Sequence, residues 1–228
     1  ASKKCAEEKE KDLSIHHLRR NYTFGSLSRS DLPVEPMQLF KDWFAQLHAL
    51  ELPEWFEVNA MTLSTSNLAV GVSSRIVLLK HLDEDGFLFF TNYDSAKGHQ
   101  IANEPSVAIH FYWPIFDRQV RIEGKATKTS AEISDTYFES RPRTSQLGAM
   151  ASPQSEIISD DAQLARDIDV LDKKYAGQSV PRPENWGGYK VTPHTMEFWQ
   201  GKPSRLHDRF RYQLDEPSGV WTIDRLAP

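Results

Sequence analysis

Between Glu197 and Arg209 the chain crowds Arg205, His207, Asp208 and Arg209 behind an aromatic stretch that holds Phe198 and Trp199. On a strand, Arg205, His207 and Arg209 share one face, and three neighbouring cations repel unless an anion sits among them. An anionic ligand is therefore expected, against the plainer reading of a surface ion-pair network that adds little stability. A second group, Tyr137 to Ser145, places a phenol, the guanidiniums of Arg141 and Arg143, and hydroxyls at a helix end. Basic residues there complement the helix dipole, yet such a density of donors also suits a phosphate. In the third group, Thr91 to Lys97, a strand end runs into a short helix that Ser95 would cap. A helix N-terminus beside Lys97 is an anion site if a ligand exists and an ordinary capped helix if none does. The fourth, Arg75 and Lys80, brackets an apolar run; five residues apart on a strand, they face opposite sides and read as two solvated strand ends. Gln154 and Ser155, in a polar loop, carry no signal alone.

The elements that must position these residues are mostly strands. Arg75 to Lys80, Phe87 to Thr91 and Ser106 to Trp113 are short runs rich in β-branched and aromatic residues. The turn-forming Asp83 to Gly86 predicts that the first two form an antiparallel hairpin. Arg118 to Lys128 alternates, with Val120 and Ile122 opposite Gln119, Arg121 and Glu123, so one face is buried and the other available. Strands are also expected over His194 to Gln200, Arg209 to Leu214 and Val220 to Ile223, after a connector from Gly177 to Gly188. Helices are predicted from Pro36 to about Leu50, with Phe40, Trp43, Phe44 and Leu47 on one face, and from Asp160 to Tyr175. Another begins at a capping box formed by Thr129 and Glu132 and ends before Pro142. Strands in hairpin-like succession argue for a mainly β fold, a closed or nearly closed antiparallel barrel with helices packed outside it.

Composition removes several classes. The 228 residues carry 27 Lys and Arg against 32 Asp and Glu, a formal charge of −5, which lacks the broad basic field of a nucleic-acid binder. No apolar run approaches the ~20 residues of a membrane-spanning helix. One cysteine, Cys5, allows no internal disulfide framework or thiolate cluster, so a cytoplasmic or other reducing compartment is expected. The histidines are scattered without H-x-x-x-H spacing, and no metal site is expected. There is no G-x-G-x-x-G, no phosphate-binding P-loop and no G-x-S-x-G elbow. Residues 1–18 read as a flexible polar leader and residues 19–228 as one domain.

Taken in order, Arg19 to Tyr22, Ser74 to Lys80, Phe89 to Asn92, Arg118 to Gly124, Ser140 to Arg143, Trp186 to Tyr189, Glu197 to Gly201, Arg205 to Arg209 and Arg225 to Pro228 resemble the pyridoxine (pyridoxamine) 5′-phosphate oxidase family. The resemblance runs from Arg19 to Pro228. It implies an FMN-binding split barrel that works as a homodimer with active sites at the interface. By this resemblance Arg75 and Lys97 hold the FMN phosphate, Ile76, Val77, Leu78, Phe90 and Thr91 line the cofactor, and Gln119 meets the flavin ring. Gln154, Ser155, Trp199 and Arg209 are expected from the other subunit. Lys80, Tyr137, Arg141 and Ser145 match a clamp for the substrate phosphate, and Arg19 to Tyr22 a segment that closes over it. Arg205 would hold the pyridine ring, while His207 would steady the reacting substituent and is a candidate for assisting proton removal.

The implied activity is FMN-dependent oxidation of pyridoxine 5′-phosphate and pyridoxamine 5′-phosphate to pyridoxal 5′-phosphate, with O2 as acceptor. A split-barrel flavin reductase without vitamin B6 activity is the rival, and a flavin-free pyridoxal phosphate carrier a second. The presence of the whole substrate clamp speaks against the reductase. One departure stands out: the family usually has Ser-Arg-Lys where this chain has Ser95, Ala96 and Lys97. Looser FMN binding than in a typical member is expected from the missing guanidinium.

Overall fold

The computed structural model describes residues 18, 20–69, 71–158, 160 and 162–228. Arg19 and, apart from Leu18, the expected leader lie outside the described residues. The strands are β1 (Ala60–Asn67), β2 (Gly71–Leu78), β3 (His81–Leu82), β4 (Phe87–Asn92), β5 (Ser106–Trp113), β6 (Arg118–Lys128), β7 (Trp186–Gln200), β8 (Asp208–Asp215) and β9 (Val220–Leu226). The helices are α1 (Pro36–His48), α2 (Ala96–Asn103), α3 (Ala131–Ser140), α4 (Arg143–Ala151) and α5 (Gln163–Lys174).

The sheet runs β2-β1-β5-β6-β7-β4-β3, and its paired strands are antiparallel. Because β2 leads into β3 through Leu79 and Lys80, the chain itself joins the two ends of that order. The Lys80 N–H donates to the Leu88 carbonyl at 2.8 Å, and the sheet curls into a nearly closed barrel, as its composition of short antiparallel strands predicts. The split lies on β7. One of its edges pairs along its length with β6, whereas the other is shared: Trp186 to Val191 pair with β4 and Thr195 to Gln200 with β8. Pro193 falls between the two halves, where the missing N–H costs no ladder bond. Opposite it the register shifts between Glu123 and Gly124, and a side chain at Gly124 would run into the Thr192 carbonyl.

Inward residues fill the barrel. Val120, Ile122, Met196, Phe198 and Phe111 are fully buried, and the apolar face of α1 packs on them as its spacing predicts. Phe40 meets Phe87 and Phe111 edge-on, with ring centres 4.9 and 5.0 Å away, and Trp43 meets Phe198 at 5.3 Å. With the interior occupied, a ligand has to bind outside the barrel wall.

Four local expectations are corrected. β2 pairs with β1, not β4; the turn at Asp83 to Gly86 joins only the two-residue β3 to β4. The cap of α3 is Ser130, whose hydroxyl accepts from the Ile133 N–H, because Thr129 instead shares a hydrogen bond with Ser134. β7 begins at Trp186, inside the stretch read as connector. Finally, Arg205, His207 and Arg209 do not share a strand face. Pro203 to Arg205 form a single 3-10 turn, with Ser204 and Arg205 at φ of 58° and 61°, and β8 starts only at Asp208.

Candidate active site

A cleft of about 710 Å³ lies between the free edge of β2, the β4–α2 junction and the α3–α4 pair, within the ~300–1,000 Å³ usual for small-molecule sites. β2 has a neighbour on one side only, so the backbone of Arg75 to Leu78 faces the cleft. Lys80, beyond the end of β2, lines the same cleft as Arg75. The strand alternation that was expected to separate them stops at Leu78.

Lys97 is buried in the first turn of α2. Its Nζ donates to the Thr91 hydroxyl at 3.0 Å, the Ser95 hydroxyl at 3.1 Å and the Gln154 carbonyl oxygen at 3.1 Å. Burial, and then the neighbouring Arg75, push its pKa down to about 8. Arg75 donates to the Leu63 carbonyl at 3.2 Å and to Ser73 at 2.7 Å, and burial lowers its pKa as well. Across the cleft Arg141 lies over the Trp186 ring at 4.8 Å, and its buried Nη1 has no hydrogen-bond partner among the described residues. Tyr137 stacks on Phe90 with centres 3.9 Å apart, and Phe90 is near-parallel to Trp186 at 5.7 Å.

The cations of this cleft lack the carboxylate partners that many arginines elsewhere in the chain have. Arg121, Arg143, Arg182, Arg209 and Arg211 each meet a carboxylate. Among the described residues, Arg75, Lys80, Lys97 and Arg141 meet none. Desolvated cations beside hydroxyls and an unsatisfied guanidinium nitrogen form the donor set of a phosphate site. The aromatic wall suits a flat ring, so the residues present fit a phosphorylated planar cofactor together with a phosphorylated substrate.

The other expected residues fall elsewhere. Gln154 and Ser155, expected from the other subunit, line the cleft within this chain, where Gln154 accepts from Lys97. Gln119, Trp199 and Arg209 line a separate cavity of about 180 Å³ with Pro228. There Glu197 accepts from the Arg209 Nε at 2.8 Å. Arg205, His207 and Tyr22 line a third cavity of about 510 Å³. Tyr22 meets both Trp199 and His207 edge-on at 5.6 and 5.3 Å. Ser145 sits in the first turn of α4 and is not among the cleft-lining residues. Asn92, Ser152 and Trp186 do line it and went unassigned from sequence, although the Phe89 to Asn92 and Trp186 to Tyr189 motifs pointed toward two of them.

His207 has a defined tautomer. The Lys202 backbone N–H donates to its Nδ1 at 3.1 Å, so Nδ1 is an acceptor and the neutral ring carries its proton on Nε2. Burial and then Arg205 lower the His207 pKa, with Asp208 opposing them. The turn itself is anchored by the buried carboxylate of Asp208, which accepts from the Leu27 N–H at 3.0 Å, Lys202 Nζ at 3.3 Å and Arg225 Nη2 at 2.8 Å.

Comparison with known proteins converges on one family. The family model described as pyridoxamine 5′-phosphate oxidase matches residues 50–175, and that of the pyridoxine 5′-phosphate oxidase C-terminal dimerisation region matches residues 186–228. The pyridoxine/pyridoxamine 5′-phosphate oxidase of Rhodopirellula baltica is 49% identical over 218 residues, covering 94% of this chain and 97% of its own. That of Synechocystis is also 49% identical, over 216 residues, with 95% and 99% covered. Among solved structures, PhzG from Burkholderia lata in complex with tetrahydrophenazine-1-carboxylic acid superposes with a TM-score of 0.81 at 29% identity, covering 89% of this chain and 98% of that one. A pyridoxamine 5′-phosphate oxidase-related, FMN-binding protein from Nostoc punctiforme shares the fold, with a TM-score of 0.66 at 16% identity and 86% and 100% coverage.

Proposed function

The chain belongs to the pyridoxamine 5′-phosphate oxidase family, and from that premise we propose that it oxidises pyridoxine 5′-phosphate and pyridoxamine 5′-phosphate to pyridoxal 5′-phosphate, with FMN as cofactor and O2 as electron acceptor. The observation that carries this reading is the carboxylate-free group of Arg75, Lys80, Lys97 and Arg141 around one aromatic-walled cleft. Cofactor and substrate each end in a phosphate, and a chain of net charge −5 needs local cations to hold both.

Arg75, Lys97, Thr91, Gln154 and Ser155 hold the cofactor phosphate, with the β2 edge from Ile76 to Leu78 and Phe90 beside it. Lys80, Tyr137 and Arg141 take the substrate phosphate on the α3 side. FMN, when bound, would supply the redox chemistry, taking up a hydride from the substrate carbon while the substrate releases a proton, so that two electrons and two protons are available to reduce O2 to H2O2. The amine substrate is oxidised to an imine, which water hydrolyses to the aldehyde and ammonia. A homodimer brings the second copy's Gln119, Trp199 and Arg209 to the ring and its Arg205 and His207 to the substrate. The matched dimerisation region supports this arrangement, as does the lining of separate cavities by these residues within one chain. Residues 19–228 act as one catalytic unit. The absence of an internal disulfide framework suits a cytoplasmic, reducing setting.

The decisive experiment mixes purified, flavin-loaded protein with pyridoxine 5′-phosphate and, separately, pyridoxamine 5′-phosphate without oxygen. Bleaching of the yellow flavin absorbance, restored by air with stoichiometric H2O2, is expected. Bound flavin that keeps its colour with both substrates refutes the reading.

Lys97 sets a pH dependence. A phosphate dianion favours the ammonium form, and the free protein loses that proton above about pH 8. FMN affinity is therefore flat between about pH 7 and 8, where the phosphate is a dianion, and weakens above that, by up to about tenfold per pH unit. Fluorescence titrations from pH 7 to 9.5 check this. Lys97→Arg, which stays charged, should flatten the curve, and a flat wild-type curve contradicts the assignment.

His207 in its Nε2–H tautomer offers a proton to the reacting substituent and has no free nitrogen to remove one. It orients the substrate, a narrower role than the proton removal considered from sequence. His207→Ala should lower kcat/KM by about 0.5–1.5 kcal/mol, the net worth of one hydrogen bond, and His207→Asn should lose less. Disappearance of the acidic limb from the kcat profile in His207→Ala would instead assign it as a base.

A further inference from the structure

We propose that His110 is a positioning residue that makes the amide of Gln119 a hydrogen-bond donor toward the flavin ring, an inference that rests on the flavin reading above. His110 lies on β5 opposite Arg121, and Gln119 on β6 lies opposite Tyr112. His110 and Gln119 are thus diagonal neighbours on the outer face of the barrel. His110 Nε2 stands 3.0 Å from Gln119 Oε1. A carboxamide oxygen can only accept, so the ring donates from Nε2, which both the imidazolium and the Nε2–H tautomer can do.

This bond uses the oxygen end of the amide. The two N–H donors of Gln119 are left for the cavity it shares with Trp199, Arg209 and Pro228. Without a donor at position 110, the amide is free to turn over and present its oxygen instead. The difference matters because the polar edge of an isoalloxazine is mostly acceptors, two carbonyl oxygens and two unprotonated nitrogens against one N–H. The Arg209 guanidinium is already engaged by Glu197 and the Ala227 carbonyl, at 2.8 and 2.9 Å, which leaves the orientation of the amide to tune that edge. Donors pointed at it hold the reduced, more electron-rich ring more strongly than the oxidised one.

The test uses full-length protein and FMN: the dissociation constant by fluorescence quenching and the two-electron midpoint potential by dye-coupled reduction. His110→Leu should weaken FMN binding three- to tenfold and make the potential more negative. A tenfold loss for the reduced form relative to the oxidised corresponds to about 30 mV. His110→Gln, which can still donate to Oε1, should recover most of both effects. In a Gln119→Leu background His110→Leu should change neither. Circular dichroism of each variant separates these effects from misfolding, which would move the potential of neither the Gln variant nor the double variant in this pattern. Flavin bound by wild type, with the potential and affinity unchanged in His110→Leu, overturns the proposal alone. Wild type that binds no flavin overturns the reading beneath it as well.

Discussion

Replacing Arg141 by Met should raise the KM for pyridoxine 5′-phosphate about 10- to 150-fold, the range set by ~1.5–3 kcal/mol for a hydrogen bond to a charged group. FMN affinity should change little, because the proposed site gives the other phosphate to Arg75 and Lys97. The ligand-free variant should be as stable as wild type or more so. Burial depresses the Arg141 pKa, its Nη1 has no partner, and such an orphaned donor costs about 1–3 kcal/mol. Met gives up the guanidinium contact with Trp186, worth about 0.5–1 kcal/mol, yet keeps a stem of similar length over the ring. Steady-state kinetics with thermal unfolding of the apoprotein check both halves. A variant with unchanged KM, or one that loses stability and substrate binding in proportion, would show that Arg141 packs the wall and holds no phosphate.

Ala96→Arg is expected to tighten FMN binding by about 1.5–3 kcal/mol, or ~10- to 150-fold, by adding a charge-assisted contact. Ala96 is the first residue of α2 and lines the cleft beside Lys97, so a longer side chain there has open space before it. The same cation joins a group that has no carboxylate, and in the ligand-free protein it repels Lys97 and Arg75. The two states should therefore move in opposite directions, with the melting temperature falling without FMN and rising with it. Equal FMN affinity of wild type and variant would show that other residues already replace the missing guanidinium.

The sequence singled out most of the residues that line the cleft but not their arrangement. Lys80, Arg75, Phe90, Thr91, Lys97, Tyr137 and Arg141 line one cleft; Thr91, Lys97, Tyr137 and Arg141 belonged to groups whose residue types suit a phosphate, whereas Arg75, Lys80 and Phe90 were assigned through the family resemblance. Trp186 escaped assignment because it falls inside the Pro-rich stretch read as a connector, where β7 in fact begins. Gln154 is equally ordinary until the fold brings Lys97 within 3.1 Å of it. Arg205, His207 and Arg209 misled in geometry: a period of two applies only where the chain is a strand, and Ser204 and Arg205 are left-handed. The Arg75 to Lys80 run misled in the same way, since β2 ends at Leu78.

What the residues determined alone is local and compositional. Apolar alternation made strands, Pro36 and a four-residue apolar face made α1, and the order of the motifs identified the family. What only the tertiary structure decided is which charges remain unpaired. Pairing depends on side chains from distant parts of the chain, such as Glu197 meeting Arg121 and Arg209, and no count of Lys against Asp reveals it. The formal −5 conceals a cleft of cations without carboxylates. That local imbalance, created by packing β2, α2 and α3 around one opening, is what two phosphates would neutralise.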